Sequence, residues 1–226
     1  MSTQTIYWAA YNQDSTPELA LQPLTRHIAD AQSGHINENH LACPAIRGKH
    51  SNTFYSTFPY DLEVTFNGGL TSNKQEMIEQ RTGLYKDSYA FNWNYYRIFF
   101  SPTSQMMETS PAFLHNTSYS QQGHAPSGAF DIGKWFRPSA PAFQLWSGVT
   151  EFKALKDEAH LYFNFPSANR IIFQEFKMTE TLYKISNASV NLKSHLPREG
   201  LSSLYSRYTQ AGFSKKIMAE IEANLR

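Results

Sequence analysis

One cysteine, Cys43, stands in 226 residues, so the chain has no internal disulfide and no cluster of thiolate ligands. A non-oxidising compartment, or a particle assembled in one, is the setting this suggests. Charge is scarce too: 20 Lys and Arg against 19 Asp and Glu leave a formal net charge of +1. Bulk electrostatics therefore give no pull toward nucleic acid, an anionic membrane or an acidic partner, and no nucleic-acid partner is expected. Long apolar runs are missing as well. The opening MSTQTIYWAAYNQ has no cationic segment ahead of an apolar one, and no stretch approaches ~18 uninterrupted apolar residues. Neither export by a standard signal peptide nor a membrane-spanning helix is expected.

Catalytic signatures are equally sparse. No Gly-x-Ser-x-Gly elbow and no phosphate-cradling glycine loop occurs. His35 and His40 bracket Glu38 at a spacing that matches neither HExxH nor HxxEH, and reads as a polar loop. None of the eight histidines has an acid two places later, which disfavours the facial triad of iron oxygenases. His115 or His124 could still meet Asp131 in space across a long loop, and those three are the candidate metal ligands. Cys43 precedes Pro44 and has no cation nearer in sequence than Arg47, so it reads as a small buried hydrophobe. No cofactor is predicted.

What the chain does have is aromatic area, 15% of its residues. Residues 128–146 concentrate it: Phe130, Ile132, Trp135, Phe136, Phe143, Leu145 and Trp146 supply more apolar surface than a loop needs, so this segment should be core. Pro138 and Pro141 should make its middle an extended connection or a sheet edge between two short strands. Lys134 and Arg137 flank Trp135 and Phe136, and a guanidinium stacked on an aromatic would either clamp a carboxylate or pin two strands. Trp93, Trp135 and Arg137 are the candidate ligand-binding residues.

The remaining pattern is strands first, helices last. TIYWAAY at 5–11 reads as a strand ended by Asn12, Asp14 and Ser15, and Pro23 opens a short helix bearing Leu24, Ile28 and Ala31. Leu62, Val64 and Phe66 alternate with polar residues before Asn67-Gly68-Gly69, a hairpin signal. Residues 83–102 read as one long or bent strand, buried at Ile98-Phe99-Phe100, and 101–128 as a long surface loop. Three short strands fit 149–155, 160–165 and 170–176. From Met178 the period becomes helical: one helix capped by Thr179, a second with Leu201, Leu204, Tyr205 and Tyr208 on one stripe, and a third capped by Ser214. The expected fold is α+β, an aromatic-rich antiparallel β-sandwich over 1–177 with a C-terminal group of helices over 178–226, packed on it or used for docking.

Short motifs add a likeness. Cys43-Pro44-Ala45, Asn52-Thr53-Phe54, Pro59-Tyr60-Asp61-Leu62, Ile98-Phe99-Phe100-Ser101-Pro102, Lys134-Trp135-Phe136-Arg137-Pro138 and Leu161-Tyr162-Phe163 resemble a set of small uncharacterised proteins of tailed phages and some bacteria. The resemblance spans 43–176. It implies a jelly-roll or cupin-like sandwich, a phage-related origin and a place in the host cytoplasm or virion, and it implies no activity.

Two functional readings follow. The first is a non-enzymatic virion, assembly or host-interaction protein whose partners are other protein subunits, self-association included. The second is a cupin-like metal-dependent enzyme or small-ligand binder with a pocket near Trp93, Arg137 and the 101–128 loop. Under either, Trp135→Ala should cost ~3–5 kcal/mol as a core cavity. Thermal unfolding that does not change would put the centre of the fold elsewhere.

Overall fold

The computed structural model describes residues 2–11, 21–35, 41, 43, 46, 50–83, 86–94 and 97–226. In chain order the first half holds β1 (Thr3–Ala10), β2 (Gln22–Pro23), α1 (Leu24–Gln32), β3 (Thr53–Thr57), β4 (Leu62–Phe66), β5 (Leu70–Ser72), β6 (Ile78–Thr82), β7 (Tyr89–Trp93) and β8 (Arg97–Phe100). The second holds β9 (Met106–Ser110), β10 (Gly123–His124), β11 (Gly128–Asp131), β12 (Pro138–Ser139), β13 (Ala142–Leu145), β14 (Glu151–Ala154), β15 (Ala159–Asn164) and β16 (Arg170–Glu175). Three helices close the chain: α2 (Glu180–His195), α3 (Leu201–Gln210) and α4 (Phe213–Glu222). The fold is α+β, a mostly antiparallel β-sandwich with a C-terminal helical group. The expected turn at Asn12, Asp14 and Ser15, His40 of the His35 pairing, and Pro44 lie outside the described residues.

Four sheets form, in the orders β12-β8-β1-β16, β10-β13-β7-β6, β11-β9-β15-β3-β2 and β14-β4-β5. Successive strands divide between the first two: β7 pairs with β13 while β8 pairs with β12. Trp93 N–H donates to the Pro141 carbonyl at 2.9 Å where they cross over. Pro138 is tolerated because β12 is the edge of its sheet and need not donate outward. β1 and β16 pair in parallel, Thr3 opposite Arg170 through Trp8 opposite Glu175. At the β4–β5 hairpin, Gly68 takes φ +69°, which a residue with a side chain adopts only under strain.

All of β8 is buried because its sheet is covered on both faces. Phe99 joins the sandwich core with Ile6 and Ile171, whereas Ile98, Phe100, Ala9 and Phe136 meet Leu182, Ile185, Tyr208, Ile217 and Ile221 of the helices. The C-terminal group is thus packed on the sandwich. A third cluster seats α1, through Leu24, Ile28 and Ala31, on Tyr55 and Tyr162 of the five-stranded sheet. No helix among the described residues is long and apolar enough to cross a membrane.

Three local expectations change. The 101–128 stretch contains β9, which pairs with both β11 and β15. Met107 is its one fully buried side chain, so little apolar alternation marked it as a strand. α4 begins at Phe213 with Gly212 at φ +67° as its cap, which leaves Ser214 one residue inside. Cys43 is exposed, and Leu41 takes the buried place near α1 instead.

Trp135 and Arg137 are positioned by the turn at 132–134. A Cβ on Gly133 would stand 2.0 Å from the Thr103 carbonyl oxygen. Gly133→Ala should therefore destabilise the protein by ~1–3 kcal/mol, whereas Gly69→Ala, with nothing within 4 Å, should come within about 0.5 kcal/mol of the parent in urea unfolding.

Candidate functional site

The seam between sandwich and helices leaves a cleft of about 640 Å³. Arg81 and Asn92 of the sheet, Ala129 of β11, Trp135 and Arg137 ahead of β12, and Asn187, Val190 and Leu201 of the helices line it. Clefts of this size between packed units are where small ligands usually sit. Trp135 and Arg137 face it together because they are two residues apart in extended chain, while Phe136 between them turns into the cluster beneath the helices.

Arg137 is half-buried and makes no hydrogen bond or ion pair among the described residues. Burial lowers its guanidinium from the ordinary value, Tyr205 nearby acts the other way, and it remains charged. Trp135 is 1% exposed, and its indole N–H has no hydrogen-bond partner among the described residues. Its ring meets Tyr205 edge-on at 5.7 Å, and the Tyr205 hydroxyl accepts from Asp131 N–H at 2.9 Å, so helix α3 braces the wall. Arg81, across the cleft, pairs with Glu79 at 2.8 Å. With its amide oxygen turned toward Arg81, Asn92 accepts from Nε at 2.8 Å and Nη2 at 2.9 Å. The cleft therefore presents two guanidinium groups, one of them without a partner among the described residues, beside the largely buried Trp135 ring.

Trp93 does not join them. It is fully buried, stacked on Phe58 at 5.0 Å, and its indole N–H donates to the Tyr60 hydroxyl at 3.0 Å. Its neighbour Asn92 lines the cleft instead, as the period-two alternation of β7 requires. The 101–128 stretch contributes through Thr109 and Gly128.

The three metal candidates are not brought together. His115 and His124 line one pocket of about 300 Å³ with Phe113, Tyr119 and Trp146. Asp131 is engaged elsewhere: Oδ1 accepts from Gln105 N–H at 3.0 Å and Gly133 N–H at 2.9 Å, and Oδ2 meets Ser104 Oγ and Lys134 Nζ. Burial would raise that carboxyl, but these donors outweigh it and hold the group below its ordinary value. Among the described residues no three of His, Cys, Asp and Glu are grouped to hold a metal ion. His115 bonds the Tyr162 hydroxyl through Nδ1 at 2.6 Å and stacks on His27 at 3.6 Å. Burial, with His27 adding to it, pushes His115 down to about 3.

No protein-family model, curated protein or solved structure matches the chain. The likeness to the phage set thus rests on its short motifs alone. Arg81, Asn92, Tyr11 and Asn187 carry no motif, and only the alternation beside Trp93 pointed to one of them.

Burial likewise lowers His124, and lowers His160 with Arg97 adding to it. In the unfolded chain each would take up a proton below its ordinary value near 6.5, so these folded-state depressions stabilise the protein above that pH. The stabilisation is lost as pH falls from 6.5 toward about 3 for His115. Unfolding free energy should drop through this window by up to about 1.4 kcal/mol per pH unit for each of His115 and His160, and by less for the more exposed His124, whose charge solvent screens. In urea titrations between pH 7 and 4, His115→Gln should flatten that slope.

Proposed function

We propose that the chain is a binding protein for a small anionic ligand, a carboxylate or phosphate compound, held in the cleft between the sandwich and the C-terminal helices. The observation that carries this is Arg137: a half-buried guanidinium lining the cleft, without a counter-charge among the described residues. A partly buried charge left unpaired is costly, and an anion accepting from the guanidinium would relieve that deficit. Arginine suits the task because its planar fork grips carboxylate and phosphate oxygens in pairs. Arg81, held by Glu79 and Asn92, adds positive potential across the cleft without being free to collapse onto the ligand. The alternative expectation of a virion or assembly part has no geometric observation of this kind behind it.

Native mass spectrometry of the untagged protein should retain an anionic adduct, and citrate or inorganic phosphate should raise the unfolding temperature where equal ionic strength of chloride does not. At a hundredfold excess over Kd the gain is about 2.7 kcal/mol. Arg137→Gln should abolish the shift while leaving the far-ultraviolet spectrum unchanged. Absence of any shift with both anions and of any adduct would sink the reading.

A further inference from the structure

We infer that the outer face of the five-stranded sheet carries a second site, which receives a neutral sugar ring. Beyond the end covered by α1 the strands floor a groove of about 530 Å³, within the range of small-molecule sites. Its floor is ordered from strand to strand. Asn164 of β15 lies opposite Glu108 of β9 and Thr53 of β3. The Asn164 amide donates to Glu108 Oε2 at 2.8 Å, and Thr53 Oγ donates to Asn164 Oδ1 at 3.2 Å. These bonds fix the Glu108 carboxylate and leave its Oε1 without a partner among the described residues. The hydroxyls of Ser110 and Ser127, also lining the groove, make no bond among those residues either.

Over this floor stands Phe113, at 60% the most exposed large apolar side chain among the described residues. Its ring is held edge-on by Tyr162 at 5.4 Å and tilted against His50 at 6.1 Å, so the platform is fixed although it is open. A pyranose matches both features. One face of the ring is a patch of C–H bonds that lies on an aromatic surface, and its rim of hydroxyls both donates and accepts. A carboxylate oxygen, a bound amide and two serine hydroxyls are the complement of such a rim. Among the described residues lining this groove Glu108 is the one carboxylate and none is Lys or Arg, a lining that suits a neutral glycan better than an anion.

The test is saturation-transfer NMR on the full chain with maltotriose, cellotriose, chitotriose and mannotriose at millimolar concentration. Transfer to ring C–H protons of at least one sugar is expected. Phe113→Ala should weaken it by about tenfold, the loss of roughly one stacking contact. Glu108→Gln, which keeps the shape, should also reduce it, and Arg137→Gln should leave it intact, separating this site from the anion cleft. No transfer to any of the four sugars, transfer that survives Phe113→Ala, or transfer only to an unstructured neutral peptide of similar size would each overturn the proposal.

Discussion

The interaction on which the structure depends is the aromatic stack around Phe58. Its ring is packed against Trp93 at 5.0 Å, His160 at 5.1 Å and both Phe143 and Tyr119 at 5.7 Å, with Phe91 and Phe152 closing the group. Those residues come from three of the four sheets and from the connections between them. Aromatic pairs at such distances add roughly 0.5–1.5 kcal/mol each beyond the area they bury, so the cluster locks sheet against sheet with few ionic contacts. This is how a chain with so little charge holds short strands together. His160 is drawn into the stack as a neutral ring, bonded to Ser56 Oγ at 2.8 Å, which ties the core to pH.

A second consequence concerns the sheet of β12, β8, β1 and β16. Its inner face is committed to the sandwich core through Ile6, Phe99 and Ile171, so the apolar side chains of its outer face need another cover, and the C-terminal helices provide it. Helices and a twisted sheet do not close along every edge. The seam they leave open runs past β12, where Pro138 ends the hydrogen-bonded ladder and Arg137 and Trp135 come to the surface of the cleft. The cleft is therefore produced by the way the sheet is covered, and its chemistry by the residues that lead into the edge strand.

Much of this was legible in the residues. Alternation at Leu62, Val64 and Phe66, the left-handed turn at Gly68 and the Thr179 cap, whose side chain accepts from Leu182 N–H at 3.3 Å, each depend on near neighbours in sequence. So does the shared face of Trp135 and Arg137. Illegible were features settled at a distance. Trp93 and Asn92 differ by one position and hence by a whole face of β7, and only the partner sheet decides which face is core. The strand at Met107 is held by ladders to β11 and β15, with almost no apolar pattern of its own. Asp131 looked available as a ligand because the four donors that occupy it come from a turn and from residues some 26 positions away.

The two recesses show how a nearly neutral surface is differentiated. They share Thr109, Gly128 and Ala129, so they lie on either side of the same pair of strands, β9 and β11. On one side the unpaired cation is Arg137; on the other the carboxylate is Glu108, bonded to an amide and free at its second oxygen. Glu108 lines only the groove and Arg137 only the cleft, so the two charges do not share a recess. Glu108 is held by Asn164, and Asp131 by Ser104, Gln105, Gly133 and Lys134, so the carboxylates of these two strands are engaged elsewhere and Arg137 keeps no counter-ion among the described residues.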